Sequence, residues 1–142
     1  MEPCLFCESA AGRLPQAVLH ADARVLAFLD WRQNAPGHVL IIPRRHLSAL
    51  EALRSDDGTA MLRCAAVITG ALQRAMGPDG LQLGAILSNL KDSGETAEDG
   101  HFHLHLLPRR HAGETARIYP FGDQMASEPL LQDLAQRIRG AL

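Results

Sequence analysis

The sequence predicts an α+β domain, a mostly antiparallel sheet carrying a long central helix and a C-terminal helix. Three observations lead there. Short apolar runs flank clusters of turn formers, one stretch repeats apolar residues at steps of three and four, and the segment from His101 to Leu107 alternates residue by residue.

Val25-Leu26-Ala27-Phe28-Leu29 and His38-Val39-Leu40-Ile41-Ile42 are separated by Asn34-Ala35-Pro36-Gly37, so the two runs read as a β-hairpin. Pro43 closes the second strand. Ser48-Ala49-Leu50-Glu51 has the spacing at which each polar side chain satisfies an orphan amide of a starting helix, so a short helix is expected next. From Asp57, the residues Met61, Ala65, Ile68, Leu72 and Met76 form the stripe of a helix packed on a sheet, and Gly77-Pro78 ends it. Leu81 to Leu87 reads as a third strand. A polar loop from Asn89 to Gly100, carrying Asp92, Glu95, Glu98 and Asp99, leads into the alternating segment. Ser127 caps a last helix with Leu131, Leu134 and Ile138 on one face, and Arg137 and Arg139 near its negative end.

With 142 residues, 46% of them hydrophobic, and no repeat or linker, the chain reads as one domain, 1–142. At that length about 70% of the unfolded surface can be buried, so no staples are needed. The formal net charge of -2 excludes a global basic field, so no extended nucleic-acid surface and no membrane binding are expected. No run of about 18 apolar residues appears and the start, Met1-Glu2-Pro3-Cys4, is not a secretory signal, which makes a cytoplasmic protein the expectation. Three cysteines are an odd count. A signal-less chain of this length is not a disulfide scaffold, which leaves metal, redox or chance for Cys4 and Cys7. Cys64 falls near the apolar stripe and reads as core.

The unusual number is seven histidines. In His101-Phe102-His103-Leu104-His105-Leu106-Leu107, strand geometry puts the three imidazoles on one face and Phe102, Leu104 and Leu106 on the other, so the apolar face packs and the histidine face is offered. Three imidazoles two residues apart suit a metal site, or a histidine nucleophile with neighbouring donors for phosphate oxygens.

His-φ-His-φ-His-φ-φ, with φ apolar, is the signature of the histidine triad (HIT) nucleotide-binding proteins, and this chain resembles them from about Cys4 to Arg109. Leu5-Phe6-Cys7, Val25 to Asp30, and Ala35 to His46 agree with the family as well; residues 110–142, which include the C-terminal helix, are left unplaced by the resemblance. The resemblance implies a HIT-like fold and a nucleotidyl hydrolase or transferase. His103 would attack the α-phosphorus to form a nucleotidyl-histidine, which water resolves. A neutral imidazole of pKa near 6.5 is a competent nucleophile at neutral pH. In the family a backbone carbonyl takes the proton of its other nitrogen, and His105 would bond the phosphate and assist the leaving group. The resemblance further implies Asn89 at the phosphate, His38 behind the triad, and Asp30 accepting from the ribose hydroxyls. Leu5, Phe6, Leu14, Phe28, Leu29 and Trp31 would line a purine pocket, and the protein would be a homodimer.

Cys4-x-x-Cys7 supplies half a zinc site. In the zinc-bearing bacterial branch that the chain resembles, the partners are His46 and His101. That closed set would be structural, with no catalytic metal required. The family often carries Gly-Gln-Ser/Thr before the triad, whereas this chain has Gly94-Glu95-Thr96, a carboxylate where phosphate would bind. Two other readings stay open: a nucleotide-binding module with little turnover acting through a protein partner, and a hydrolytic metal site built from all three triad histidines.

Overall fold

The hairpin expected between Val25 and Ile42 forms the centre of the sheet. The structure is a computed structural model that describes residues 4–33, 35–87, 100–109 and 125–142. The elements in chain order are α1 (Leu5–Ala10), β1 (Val18–Ala21), β2 (Val25–Leu29), β3 (Val39–Pro43), α2 (Ala49–Leu53), α3 (Asp56–Met76), β4 (Gly80–Gly84), β5 (Leu104–Arg109) and α4 (Glu128–Arg139). The strands form one five-stranded sheet in the order β1-β2-β3-β5-β4, and every neighbouring pair is antiparallel.

Register decides which side chains share a face. Leu26 lies opposite Ile42, Phe28 opposite Leu40, and Leu40 opposite His105, so these residues share one face, onto which α1 lays Phe6. The other face presents Val25, Ala27, Leu29, Val39, Ile41, Leu104 and Leu106 to the helices. Met61, Ile68 and Leu72 of α3 and Ile138 of α4 are fully buried there, each contributing roughly 1.5–3 kcal/mol by burial. The caps follow the sequence. Ser48 and Glu51 form both bonds of the capping box, Ser127 Oγ accepts from Leu130 N at 3.3 Å, and Gly77 ends α3 with φ +59.

Two strands are shorter than expected. β3 ends at Pro43, which has no N–H for another rung, so His101, Phe102 and His103 lie outside the ladder and β5 begins at Leu104. By the β4–β5 register Ala85 falls opposite Leu104, the first residue of β5, and Ile86 and Leu87 run past it, with no paired strand among the described residues. α1 and β1 were not expected, being only six and four residues long.

Candidate active site and metal centre

The predicted alternation survives beyond the ladder. Phe102, Leu104 and Leu106 sit in the helix-side core, and the three imidazoles belong to the opposite side. The expectation that the histidine face is offered needs correction, because His101 and His105 are fully buried and only His103 is half-buried. α1 covers this end of the sheet: the Phe6 ring packs 4.7 Å from His103 and 5.8 Å from His101. His38 covers His105, with ring centroids 5.1 Å apart.

Each histidine has a different bonding partner. His103 Nδ1 lies 3.0 Å from the carbonyl oxygen of His101, an acceptor only, so Nδ1 carries the proton and the lone pair is on Nε2. His101 Nε2 in turn lies 2.8 Å from the carbonyl oxygen of Pro43 and must donate, which puts its lone pair on Nδ1. That atom faces Cys4 Sγ at 3.4 Å and Cys7 Sγ at 3.5 Å, while His46 Nδ1 lies 3.3 Å from Cys7 Sγ.

These four ligand atoms all lie within 4.8 Å of one another. A tetrahedral zinc with bonds of about 2.3 Å to sulfur and 2.05 Å to nitrogen has S···N edges of about 3.6 Å, close to the spacing found here. The carbonyl of Pro43, by accepting from His101 Nε2, would fix that ring's orientation for ligation through Nδ1. Burial pushes His101 down to about 4, against the raising effect of the Pro43 carbonyl, so it is neutral at pH 7 as a ligand must be. Burial first, and then the neighbouring Cys4 thiol, push the Cys7 thiol up to about 11, which disfavours a reactive thiolate pair. The donor set therefore fits zinc. The alternative in which all three triad histidines share one metal fails on geometry, since His101 Nδ1 faces the cysteines and His103 Nδ1 is bonded to a carbonyl.

Beyond the metal cluster, His38 Nε2 lies 2.8 Å from His105 Nδ1 and 3.6 Å from Asp30 Oδ2. Asp30 and His38 sit directly across the β2–β3 hairpin, joined by Asp30 N donating to His38 O at 3.0 Å. Asp30 Oδ1 also accepts from Arg32 N at 3.0 Å. Burial pushes His38 down to about 4, with the Arg32 backbone opposing. It pushes His105 down to about 3, with His103 and His38 adding to the shift. Both rings are neutral at pH 7.

A profile of the HIT domain matches residues 11–112, which includes the hairpin, the central helix and all three triad histidines. The chain belongs to the HIT family. "Protein hit" of Bacillus subtilis is 32% identical over 115 residues, 80% of this chain and 75% of that protein. Adenosine 5'-monophosphoramidase hnt1 of Schizosaccharomyces pombe is 29% identical over 75% of this chain and 74% of its own. Adenylylsulfatase HINT3 of Arabidopsis thaliana is 32% identical over 75% of this chain, which spans about half, 52%, of that longer relative. Among solved structures, a HIT-like protein from Bartonella henselae superposes with TM-score 0.80 at 24% identity, covering 97% of this chain and 95% of that one. A Zn-bound histidine triad family protein from Mycobacterium smegmatis gives 0.74 at 23% identity, covering 97% and 91%. Both likenesses are of fold.

Within the HIT fold, most of the expected site residues converge. Phe6 and Phe28 lie on the histidine side; both are buried, Phe28 fully enclosed with ring centroids 6.5 Å from Phe6 and 5.2 Å from Trp31, while Leu5 and Trp31 are half-buried. Leu29 does not join them. It follows Phe28 in the strand, points to the other face and is buried in the helix-side core, so it cannot line the same pocket. Leu14 is half-buried in the segment between α1 and β1. Asn89, the Gly94-Glu95-Thr96 segment and His111 lie outside the described residues.

The sequence reading missed two supports. Gln33 clasps the hairpin turn, its Nε2 donating to the carbonyls of Asp30 and His38 and its Oε1 accepting from Gly37 N and His38 N. Asp57, at the start of α3, binds Arg24 at 2.6 Å and Arg45 at 2.8 Å, anchoring the segment that carries His46. Nothing in the sequence flags Gln33. The Arg44-Arg45-His46 run beside a predicted metal ligand was the available signal for Asp57's partner.

Proposed function

We propose that this protein cleaves the bond between the α-phosphorus of a purine nucleotide and a leaving group, through a nucleotidyl intermediate on His103. The observation that carries the proposal is the 3.0 Å bond from His103 Nδ1 to the His101 carbonyl. It leaves the lone pair on Nε2, and the carbonyl stabilises the imidazolium that forms when phosphorus is added there. In the first step Nε2 bonds to phosphorus as the phosphorus–leaving-group bond breaks with its electron pair. In the second, water attacks phosphorus, the nucleoside monophosphate departs and the imidazole is regenerated.

Leaving groups joined through nitrogen or a sulfur oxyanion are the proposed class, supported by relatives named as an adenosine 5'-monophosphoramidase and an adenylylsulfatase. His105 acts on the phosphate, Asp30 on the ribose and Asn89 on phosphate, with the base held by Leu5, Phe6 and Trp31 over Phe28. Zinc held by Cys4, Cys7, His46 and His101 would supply structure rather than chemistry, because four protein ligands leave no position for water. Thiols kept as ligands need a reducing compartment, which supports a cytoplasmic protein. No helix among the described residues is long and apolar enough to cross a membrane.

We also propose a homodimer joined along β4. That strand is at the sheet edge, Leu83 is 49% exposed, and Leu62 and Val67 of α3 are exposed as well. Sedimentation of the wild type beside Leu83→Lys checks it; a monomeric wild type contradicts it.

The deciding activity experiment compares wild type with His103→Ala on an adenosine phosphoramidate. Loss of turnover by three orders of magnitude or more is expected, and equal rates would refute the mechanism. The acidic sequence Gly94-Glu95-Thr96, where the family often has Gly-Gln-Ser/Thr, motivates the binding-module reading, which predicts tight nucleotide binding without turnover.

A further inference from the structure

The cluster Asp30, His38 and His105 holds three buried ligand-type groups within 4.8 Å of one another, and its chemistry is decided by one distance. Two nitrogens on a tetrahedral zinc at about 2.05 Å are separated by about 3.3 Å. His38 Nε2 and His105 Nδ1 are only 2.8 Å apart, the length of a hydrogen bond. The pair therefore shares a proton and has two arrangements. In one, His105 donates from Nδ1, and its Nε2 carries a lone pair. In the other, His38 donates from Nε2, and the His105 proton sits on Nε2, the ring atom on the far side.

Only the second arrangement makes His105 a donor to a phosphoryl oxygen; the first would set a lone pair against an anion. What selects between them is Asp30. Its Oδ2 lies 3.6 Å from His38 Nε2, too long for a hydrogen bond but close enough that a buried negative charge favours an N–H there over a lone pair. Among the described residues no well-formed hydrogen bond is made at His38 Nδ1; the Arg32 backbone is the competing acceptor for the His38 proton, and the Asp30 carboxylate has to outweigh it. The hairpin makes the arrangement rigid. Asp30 and His38 are cross-strand partners, and Gln33 ties both of their carbonyls.

We propose that Asp30 is a positioning residue that keeps the His38 proton on Nε2, and through it the His105 proton on Nε2, so that His105 meets the transferred phosphoryl group as a hydrogen-bond donor. This goes beyond its ribose contact and rests on the phosphoryl-transfer reading above. No proton leaves the pair during transfer. The His103–phosphorus bond forms, the leaving group departs with its electron pair and takes its proton from water, and His105 keeps its proton while bonding the phosphoryl oxygen. A neutral imidazole is a poor acid but a good donor, so His105 serves as an oxyanion donor rather than the proton source.

The test has two arms on the full-length protein with its metal content checked. Imidazole nitrogen NMR of the substrate-free wild type is expected to show His38 and His105 each protonated on Nε2. In Asp30→Asn, whose amide can donate to His38 Nε2, the pattern is expected to invert to Nδ1. Protonated Nδ1 on both residues in the wild type, or an unchanged pattern in Asp30→Asn, overturns the proposal. In the second arm, turnover of an adenosine phosphoramidate is compared with its 2',3'-dideoxy analogue. If Asp30 served only the ribose, Asp30→Asn would change nothing further on the dideoxy substrate. The proposal expects kcat to fall at least about 10-fold there too, with little change in KM. A wild type with no turnover on either substrate would refute the hydrolase reading, while the NMR arm still decides the proton arrangement.

Discussion

His101 bonds to both halves of the site: its carbonyl oxygen accepts from His103 Nδ1 at 3.0 Å, and its own Nδ1 faces Cys4 and Cys7 at 3.4 and 3.5 Å. The proposed metal-ligating side chain and the acceptor that fixes the tautomer of His103 thus belong to one residue. Zinc need not touch substrate to matter for rate.

Cys7→Ser should therefore lower bound zinc, thermal stability and kcat together. Metal analysis of the purified variant, beside its melting temperature, checks this. Removing a ligand from a structural site destabilises strongly because metal binding is part of the folding free energy, so a fall of several degrees is expected.

Gly37→Ala should destabilise by about 1–3 kcal/mol. Gly37 has φ +94, and an added Cβ would fall 2.8 Å from Met76 Sδ and 3.1 Å from Pro108 Cγ. His38 follows directly, so the same substitution should lower kcat. Chemical denaturation and a rate measurement on one sample test both effects.

Gly58→Ala is a contrasting case, at the joint of α2 and α3 and not in the hairpin turn that carries His38. Its Cβ would collide with the Ala52 carbonyl oxygen where α2 meets α3. Stability should fall by about 1–3 kcal/mol as backbone shifts to make room, while kcat at a temperature well below melting stays near the wild-type value.

Acid should weaken the fold through the buried imidazoles. In the unfolded chain a histidine takes up its proton near pH 6.5; in the folded protein His38 resists until about 4 and His105 until about 3. Between those limits the unfolded state binds more protons, so unfolding free energy is highest above pH 6.5 and falls as pH drops. The slope is up to about 1.4 kcal/mol per pH unit for each group. Denaturation curves from pH 7 to 4 measure it, and His38→Gln should flatten it.

Much of this was legible in the sequence where a period was long enough to read. α3 and α4 carry apolar stripes over 21 and 12 residues, and the histidine alternation placed three imidazoles on one side even though the ladder begins only at Leu104. α1 and β1 are too short for such a signal. The burial of His101 and His105 was not legible, because it depends on what α1 and the β2–β3 turn lay over them. Leu29 went astray for a local reason: adjacent strand residues face opposite ways, and Phe28 and Leu29 cannot both line one pocket. The Cys4, Cys7, His46 and His101 cluster was foreseen through family resemblance, since residues 97 apart carry no spacing signal of their own.

The central claim is a phosphorus–nitrogen bond to His103, and trapping it is the most direct test. Wild-type protein mixed in excess with an adenosine phosphoramidate, quenched in alkali within one turnover and digested for mass spectrometry, should carry an adenylyl group on the peptide containing His103. Substrate consumed with no adduct on that histidine, or an adduct that persists in His103→Ala, would contradict the account.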